Sequence, residues 1–300
     1  MSVVRVAVVQ ASPVVLDAEA SVEKACALIG EARARGARLI ALPEAFVSLY
    51  PTSRWAHAAA RFTSEAAELH RRMWAAAVDV PGPLTDRLGA AARRAGAWVV
   101  IGVNERDSRR PGTMWNTLVW LAPDGRLAHR HRKLVPTLHE RVFFGQGPGD
   151  DLGALDGGFG RLGGLICWEN FMPEARMRLH RDGVDFYVAP TADDRDVWAA
   201  AMRAFAFEAG AFVLSPVQVL CREHFPDDFP MAAELAQAPE ELLSGGSMIA
   251  DPWGTVLAGP VHGREEVIVA DCDMRAIIAA RRVFDTAGHY CRPDLAAFDA

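Results

Sequence analysis

Apolar residues come along this chain in short runs, and between the runs they recur at helical spacing. Val3–Val9 is β-branched and predicts a first strand. Ala20, Ala25, Leu28 and Ile29 then mark one side of a helix over Ala18–Arg35, which Gly36 ends. Leu39–Leu42 predicts a short buried strand, Trp55–Ala77 an Ala-rich helix, Leu84–Arg94 a helix stopped by Gly96, and Trp98–Val103 a strand. Trp115–Leu121 and Leu127–His131 flank the turn Pro123-Asp124-Gly125 and predict paired strands.

The second half repeats the alternation. Arg161–Ile166, Phe186–Ala189 and Phe212–Leu214 predict strands, with helices over Pro173–Arg181 and Arg195–Ala209 between them. Ser247–Ala250, Val256–Leu257 and Glu266–Ala270 predict closing strands before a helix at Met274–Arg282. Strands alternating with helices, mixed with hairpin-like pairs, predict an α/β fold with mixed sheets covered by helices. Residues 145–158 predict a loop, and residues 221–244, rich in Pro, Asp and Glu, a surface insertion. No linker or repeat interrupts residues 1–300, so the expectation is a single domain.

Composition narrows the function classes. The net charge of -6 argues against a nucleic-acid partner. No apolar run approaches the ~18 residues of a membrane span. The five cysteines are odd in number, scattered and without a Cys-x-x-Cys pair, so a cytoplasmic protein with reduced thiols is expected. No phosphate loop, HExxH or GxSxG motif appears, and neither a metal nor a cofactor is expected.

Three positions carry chemistry. In Gly163-Gly164-Leu165-Ile166-Cys167-Trp168-Glu169-Asn170, an apolar strand runs into Cys167 just ahead of a helix. A helix N-terminus there would lower the thiol pKa, and the Trp168 N–H could serve an oxyanion. Read alone, Cys167 is equally compatible with an ordinary buried cysteine. Glu44 ends a buried strand, where desolvation would raise its pKa toward that of a base, although a helix cap would look the same. Lys133 closes the basic run His129-Arg130-His131-Arg132-Lys133, a pattern that more often marks a solvated face.

Together the segments resemble the nitrilase superfamily of carbon–nitrogen hydrolases, and its nitrilase branch in particular. The likeness rests on Pro43-Glu44-Ala45-Phe46 with Tyr50-Pro51, on His131-Arg132-Lys133-Leu134-Val135-Pro136-Thr137 with Glu140-Arg141 and Gly145-Gln146-Gly147, and on Gly163 to Pro173. Ala189-Pro190-Thr191, Gly245-Gly246-Ser247 and the ending from Phe284-Asp285 to Arg292-Pro293-Asp294 support it. The resemblance implies a four-layer α-β-β-α sandwich that forms a homodimer or higher homo-oligomer. It implies Glu44 as base, Lys133 as cation, Cys167 as nucleophile and Glu140 as a second glutamate that positions the lysine. The partner implied is a small-molecule nitrile, hydrolysed to the acid and ammonia through a thioimidate and a thioester.

Cys167-Trp168-Glu169-Asn170 favours nitriles over the amides or N-carbamoyl compounds of sister branches, with cyanide a further alternative. Trp55, His57, Thr191, Trp198 and Met202 are candidate pocket residues by position, although Trp198 and Met202 also have core spacing. Phe143-Phe144 and Pro148-Gly149-Asp150-Asp151 depart from the family pattern beside the lysine segment, where they bear on pocket shape. Two other classes compete. A non-catalytic member of the fold would be expected to lack one of the three reactive residue types, and a Cys–His hydrolase would need neither Glu44 nor Lys133.

Overall fold

A strand buried on both faces has no polar side to show, and Val3–Gln10 (β1) reads that way: Val6 to Gln10 are all buried. The computed structural model describes residues 3–292 and 294 and sets this strand inside a stack of two sheets. The later strands are Leu39–Ala41 (β2), Trp98–Arg106 (β3), Met114–Leu121 (β4), Leu127–Arg132 (β5), Leu155–Asp156 (β6), Arg161–Gly164 (β7), Phe186–Val188 (β8) and Phe212–Ser215 (β9). Val219–Cys221 (β10), Glu241–Ala250 (β11), Val256–His262 (β12) and Glu266–Asp273 (β13) complete them. The helices are Ala18–Ala34 (α1), Ser64–Ala75 (α2), Pro83–Ala95 (α3), Pro173–Arg181 (α4), Asp196–Ala209 (α5), Ala232–Gln237 (α6) and Arg275–Val283 (α7).

The first sheet has six strands in the order β13-β1-β2-β3-β4-β5, parallel from β1 to β3 and antiparallel outside them. β13 pairs with β1 over its whole length, from Val3 opposite Asp273 to Gln10 opposite Glu266. The second sheet runs β10-β11-β9-β8-β7-β6, with β12 also on β11 and β7, β8 and β9 parallel.

Strand alternation builds the layers. Val4, Val6, Val8, Val100 and Trp120 face Leu162, Phe186, Val188 and Phe212 across the space between the sheets. Ala7, Val9, Val99 and Ile101 face the other way, onto Ile29 of α1 and Leu88 and Ala92 of α3. On the far side, Tyr187, Val213 and Met248 receive Leu179 of α4 and Trp198, Met202 and Ala206 of α5. The order is therefore helix, sheet, sheet, helix, the expected α-β-β-α sandwich. Gly96 and Gly210, both left-handed, cap α3 and α5, as their place in the sequence suggests.

Some boundaries differ from the pattern. Trp55–Ala77 is two elements: a 3-10 turn over Ala56–Ala60, then α2, because the Thr63 hydroxyl accepts from Ala66 N and starts a new helix. Residues 221–244 are more than a surface insertion. Phe225, Phe229, Met231 and Leu235 are buried and pack around Trp55, whose ring lies edge-on to Phe229 at 5.2 Å. Their spacing follows no single period, which hid them among polar residues. The strand starting at Arg161 stops at Gly164, since the chain there turns toward the site described next.

Two glycines sharpen what this packing demands. A Cβ on Gly102 of β3 would stand 2.4 Å from Ala45 N and 2.6 Å from both Glu44 Cα and Pro43 O. A Cβ on Gly30, exposed in α1, meets nothing within 4 Å. Gly102→Ala is expected to destabilise by about 1–3 kcal/mol through overpacking against the Glu44 turn. Gly30→Ala is expected to stabilise by about 0.5–1 kcal/mol. Urea unfolding of both variants checks the opposite signs.

Candidate active site

Glu44, Lys133 and Cys167 each follow the carboxyl end of a strand, β2, β5 and β7 respectively, so the two sheets present them at one end of the sandwich. The loop carrying Glu44 lies flat on Gly102, whose N–H donates to Pro43 O at 3.1 Å, and Ala45 takes φ 46° to turn it. Cys167 also has a positive φ, 51°, a conformation costly for a non-glycine residue. Its N–H donates to Pro190 O at 2.8 Å, and Asn170 Nδ2 ties down its carbonyl at 2.7 Å.

Lys133 is fully buried, and its ammonium donates to Glu44 Oε1 at 2.8 Å and to both Glu140 oxygens at 2.9 and 2.8 Å. Two carboxylates thus surround one cation. Glu140 also accepts from the Tyr50 hydroxyl at 2.7 Å and from Thr137 N at 3.2 Å. Glu44 Oε1 accepts a second hydrogen bond from Asn116 Nδ2 at 2.7 Å, while Oε2 accepts only from Ala192 N, at 3.0 Å, among the described residues. A carboxylate oxygen offers two acceptor directions. Oε1 is therefore filled and Oε2 keeps room for a proton.

The electrostatics follow from burial. Desolvation raises the Glu44 carboxyl to about 7, with Lys133 pulling it down and Glu140 pushing it up. Desolvation works against the Lys133 ammonium, but Glu140 and Glu44 outweigh it and hold Lys133 well above its ordinary value. Burial, then the Glu44 charge, pushes the Cys167 thiol well above its ordinary value, against the pull of Lys133. The thiolate expected from a helix N-terminus is thus not the resting state. Cys167 opens only a 3-10 turn, Cys167–Phe171, and α4 starts at Pro173. The arrangement is a neutral thiol beside a base that titrates near neutrality. Such a pair can deprotonate sulfur at the moment of attack.

Cys167 and Trp168 border a cavity of about 310 Å³ together with Tyr50, Leu138, Leu243 and Asp193. The first amides of a helical turn have no partner inside it, so the Trp168 N–H suits a developing anion. Thr191 is fully buried, with its hydroxyl 3.0 Å from Cys167 Sγ. The other candidate pocket residues lie elsewhere. Trp55 is packed among Phe143, Phe225 and Phe229, and exposed His57 bonds Ser53 O. Trp198 donates to Ser215 Oγ at 2.8 Å within the helix–sheet core that also holds Met202.

Sequence reading missed the group that joins the lysine and cysteine segments. Glu169, buried, accepts from Ile166 N at 2.6 Å on the cysteine side and from Leu134 N at 2.5 Å on the lysine side. His131 Nε2 donates to both its oxygens at 3.1 Å, and His131 Nδ1 to Asp151 Oδ1 at 2.8 Å. An acidic residue two places after the cysteine and a histidine two before the lysine were the available signal. Asn116, and the contact of Tyr50 with Glu140, appear only in three dimensions.

Comparison with known proteins adds to this geometry. A carbon–nitrogen hydrolase family profile matches residues 5–282. An aliphatic nitrilase from Sinorhizobium fredii (strain HH103) is 45% identical over 98% of this chain and 94% of its own. A bifunctional nitrilase/nitrile hydratase from Nicotiana tabacum is 40% identical, over 97% and 84% respectively. Among solved structures, a member of branch 10 of the nitrilase superfamily from Saccharomyces cerevisiae superposes with a TM-score of 0.75 at 23% identity, covering 97% of each chain. A carbon–nitrogen hydrolase from Helicobacter pylori G27 gives 0.75 at 18% identity, covering 98% of this chain and 97% of its own.

The His131–Glu169 pair makes stability depend on pH. Burial opposes the imidazolium, but the Glu169 and Asp151 carboxylates outweigh it and raise His131 to about 10. A raised histidine stabilises fully below its unfolded value of 6.5, and the contribution fades as pH climbs through about 10. His131→Asn is expected to cost about 3 kcal/mol at pH 6. The gap from wild type should close by pH 10–11, as read from unfolding curves across that range; a gap constant with pH would contradict the pairing.

Proposed function

The chain belongs to the carbon–nitrogen hydrolase family, and on that premise we propose a nitrilase that converts an organic nitrile to the carboxylic acid and ammonia through covalent cysteine intermediates. The observation that carries the reading is the buried Lys133 bracketed by Glu44 and Glu140, beside a cysteine with positive φ at the cavity floor.

In this reading Cys167 is the nucleophile. Its thiol proton passes to Glu44 Oε2 as sulfur bonds the nitrile carbon, and a C≡N electron pair moves onto nitrogen. Lys133 and the Trp168 N–H stabilise that nitrogen, which takes from Glu44 the proton that left sulfur and so gives a thioimidate and an ionised Glu44. Glu44 next activates water, which adds to the thioimidate carbon, and C–N cleavage releases ammonia. A second water cleaves the resulting thioester, freeing the acid and returning the sulfur. Glu140 holds Lys133 in place and is itself oriented by Tyr50.

A cavity of about 310 Å³ sits at the small end of ligand sites. Its apolar side is Leu138, Leu242 and Leu243, and its rings are Tyr50, His139 and Trp168. This suits a short aliphatic nitrile better than an extended aryl one, in keeping with the name of the Sinorhizobium fredii relative. The proposal extends to a single domain in a cytoplasmic homodimer or higher homo-oligomer. Its support is the absence of any long, apolar helix among the described residues, five unpaired cysteines, and exposed apolar side chains at Val197 and Phe207 on α5 and Ile278 and Val283 on α7.

Ammonia and acid are expected from a panel of short nitriles, with matching amides turned over far more slowly. Cys167→Ala should abolish release, and Glu44→Gln should lower kcat by about 10²–10⁴-fold. Release from amides alone would move the enzyme to the amidase branch, and full activity in Glu44→Gln would favour a Cys–His mechanism. Because Glu44 must be ionised to take the thiol proton, kcat/KM is expected to rise with pH through about 7. A rate–pH profile flat from pH 5 to 8 would remove Glu44 as the base.

A further inference from the structure

Thr191 lies just beyond β8 with its backbone pinned on both sides. Its N–H donates to Pro216 O at 3.0 Å, and its carbonyl accepts from Gln218 N at 3.3 Å. Its hydroxyl oxygen accepts from Asp193 N at 2.9 Å and stands 3.0 Å from Cys167 Sγ. A hydroxyl has one hydrogen and two acceptor positions. The Asp193 amide can only donate, so it occupies an acceptor position and leaves the hydrogen for sulfur, the other partner of this hydroxyl among the described residues. Asp193 is itself held: its carboxylate accepts from Trp168 Nε1 at 2.9 Å and from Arg195 at 2.7 and 2.6 Å.

We propose that Thr191 is a further catalytic residue, whose hydroxyl donates a hydrogen bond to the Cys167 sulfur while that sulfur carries negative charge. The timing of that charge rests on the nitrile-hydrolysing reading. In the first step the S–H bond breaks toward Glu44, the S–C bond forms and a C≡N electron pair moves to nitrogen. In the last, water adds to the thioester carbonyl and gives a proton to Glu44. The C–S bond then breaks with its electron pair going to sulfur, and Glu44 returns the proton. Sulfur is most anionic just before the first bond forms and just after the last one breaks. A hydrogen bond to an anion is stronger than one to a thiol or thioether, so the contact strengthens near both barriers.

The other charges facing the sulfur cannot replace this contact. Glu44 and Glu140 oppose a negative sulfur and Lys133 favours it, with Tyr50 and Arg195 also near. Lys133, however, gives its hydrogen bonds to the two glutamates.

The full chain is compared as wild type, Thr191→Val and Thr191→Ser. The readouts are nitrile turnover and the rate of Cys167 alkylation by iodoacetamide as a function of pH, resolved by peptide mass spectrometry from the other cysteines. Thr191→Val is expected to lower kcat about 10- to 100-fold with KM changed less than about threefold, and to slow alkylation at pH 7 about tenfold. Its alkylation profile should move to higher pH, and serine should restore both readouts to within about threefold of wild type. Serine rescue separates the hydroxyl's role from packing, because valine also leaves the Asp193 amide without its acceptor. If valine does not fold, Thr191→Ala reads the same contact with the same rescue.

Wild-type rates in the valine variant, or failure of serine to restore them, overturn the assignment. A wild type inert to nitriles whose alkylation slows in Thr191→Val overturns the nitrilase reading and keeps this one. Nitrile turnover equal in wild type and Thr191→Val does the reverse.

Discussion

An ammonium with no access to water exists only where opposite charge is already in place, and Lys133 sets that condition for the whole site. Glu44 and Glu140 meet it together. One carboxylate would neutralise the lysine and leave nothing over; burial first, and then the second carboxylate, load a proton-accepting character onto Glu44. Burial first, and then the same surplus, raises the thiol. The protonation of Glu44, Lys133 and Cys167 is therefore one electrostatic arrangement, and removing any member changes the others.

That arrangement has to be held across two sheets that share no backbone pairing at the site. Glu169 supplies the join by bonding amides from the lysine segment and the cysteine segment with one carboxylate. Gln218 Nε2 adds another tie, donating to Glu44 O at 2.6 Å from beyond β9. The positive φ values at Ala45 and Cys167 are the local backbone cost of bringing these loops to one point.

Most strands and helix ends could be read from the chain because each leaves a local mark, a run buried on both faces or a glycine after a helix, whereas the four layers and the shared roles of Glu44, Lys133 and Cys167 came only with the family resemblance. The basic stretch His129–Lys133 shows what could not. Strand alternation splits it, sending His131 and Lys133 inward to carboxylates while Arg130 and Arg132 pair with Glu105. Five basic residues in a row look solvated until the partners, 7 to 89 positions away, are known. The same distance hid the Tyr50–Glu140 contact, Asn116 and Glu169, and packing from residues 221–244 diverted Trp55 from the cavity. The thiol's protonation also lay outside a local reading, since a helix dipole is visible in sequence and the burial and charge that override it are not.

The pairing of β1 with β13 has a consequence for how the protein is made. β1 finds its edge partner only when residues 266–273 follow it out of the ribosome. Gln10, at its end, receives Gly246 N and Ser247 N, which also arrive late. During most of translation, β1 therefore presents an open, β-branched edge, a template for pairing with the wrong chain. Nascent chains should need chaperone cover until residues 266–273 are made, and truncations before residue 266 should aggregate instead of yielding a smaller folded unit.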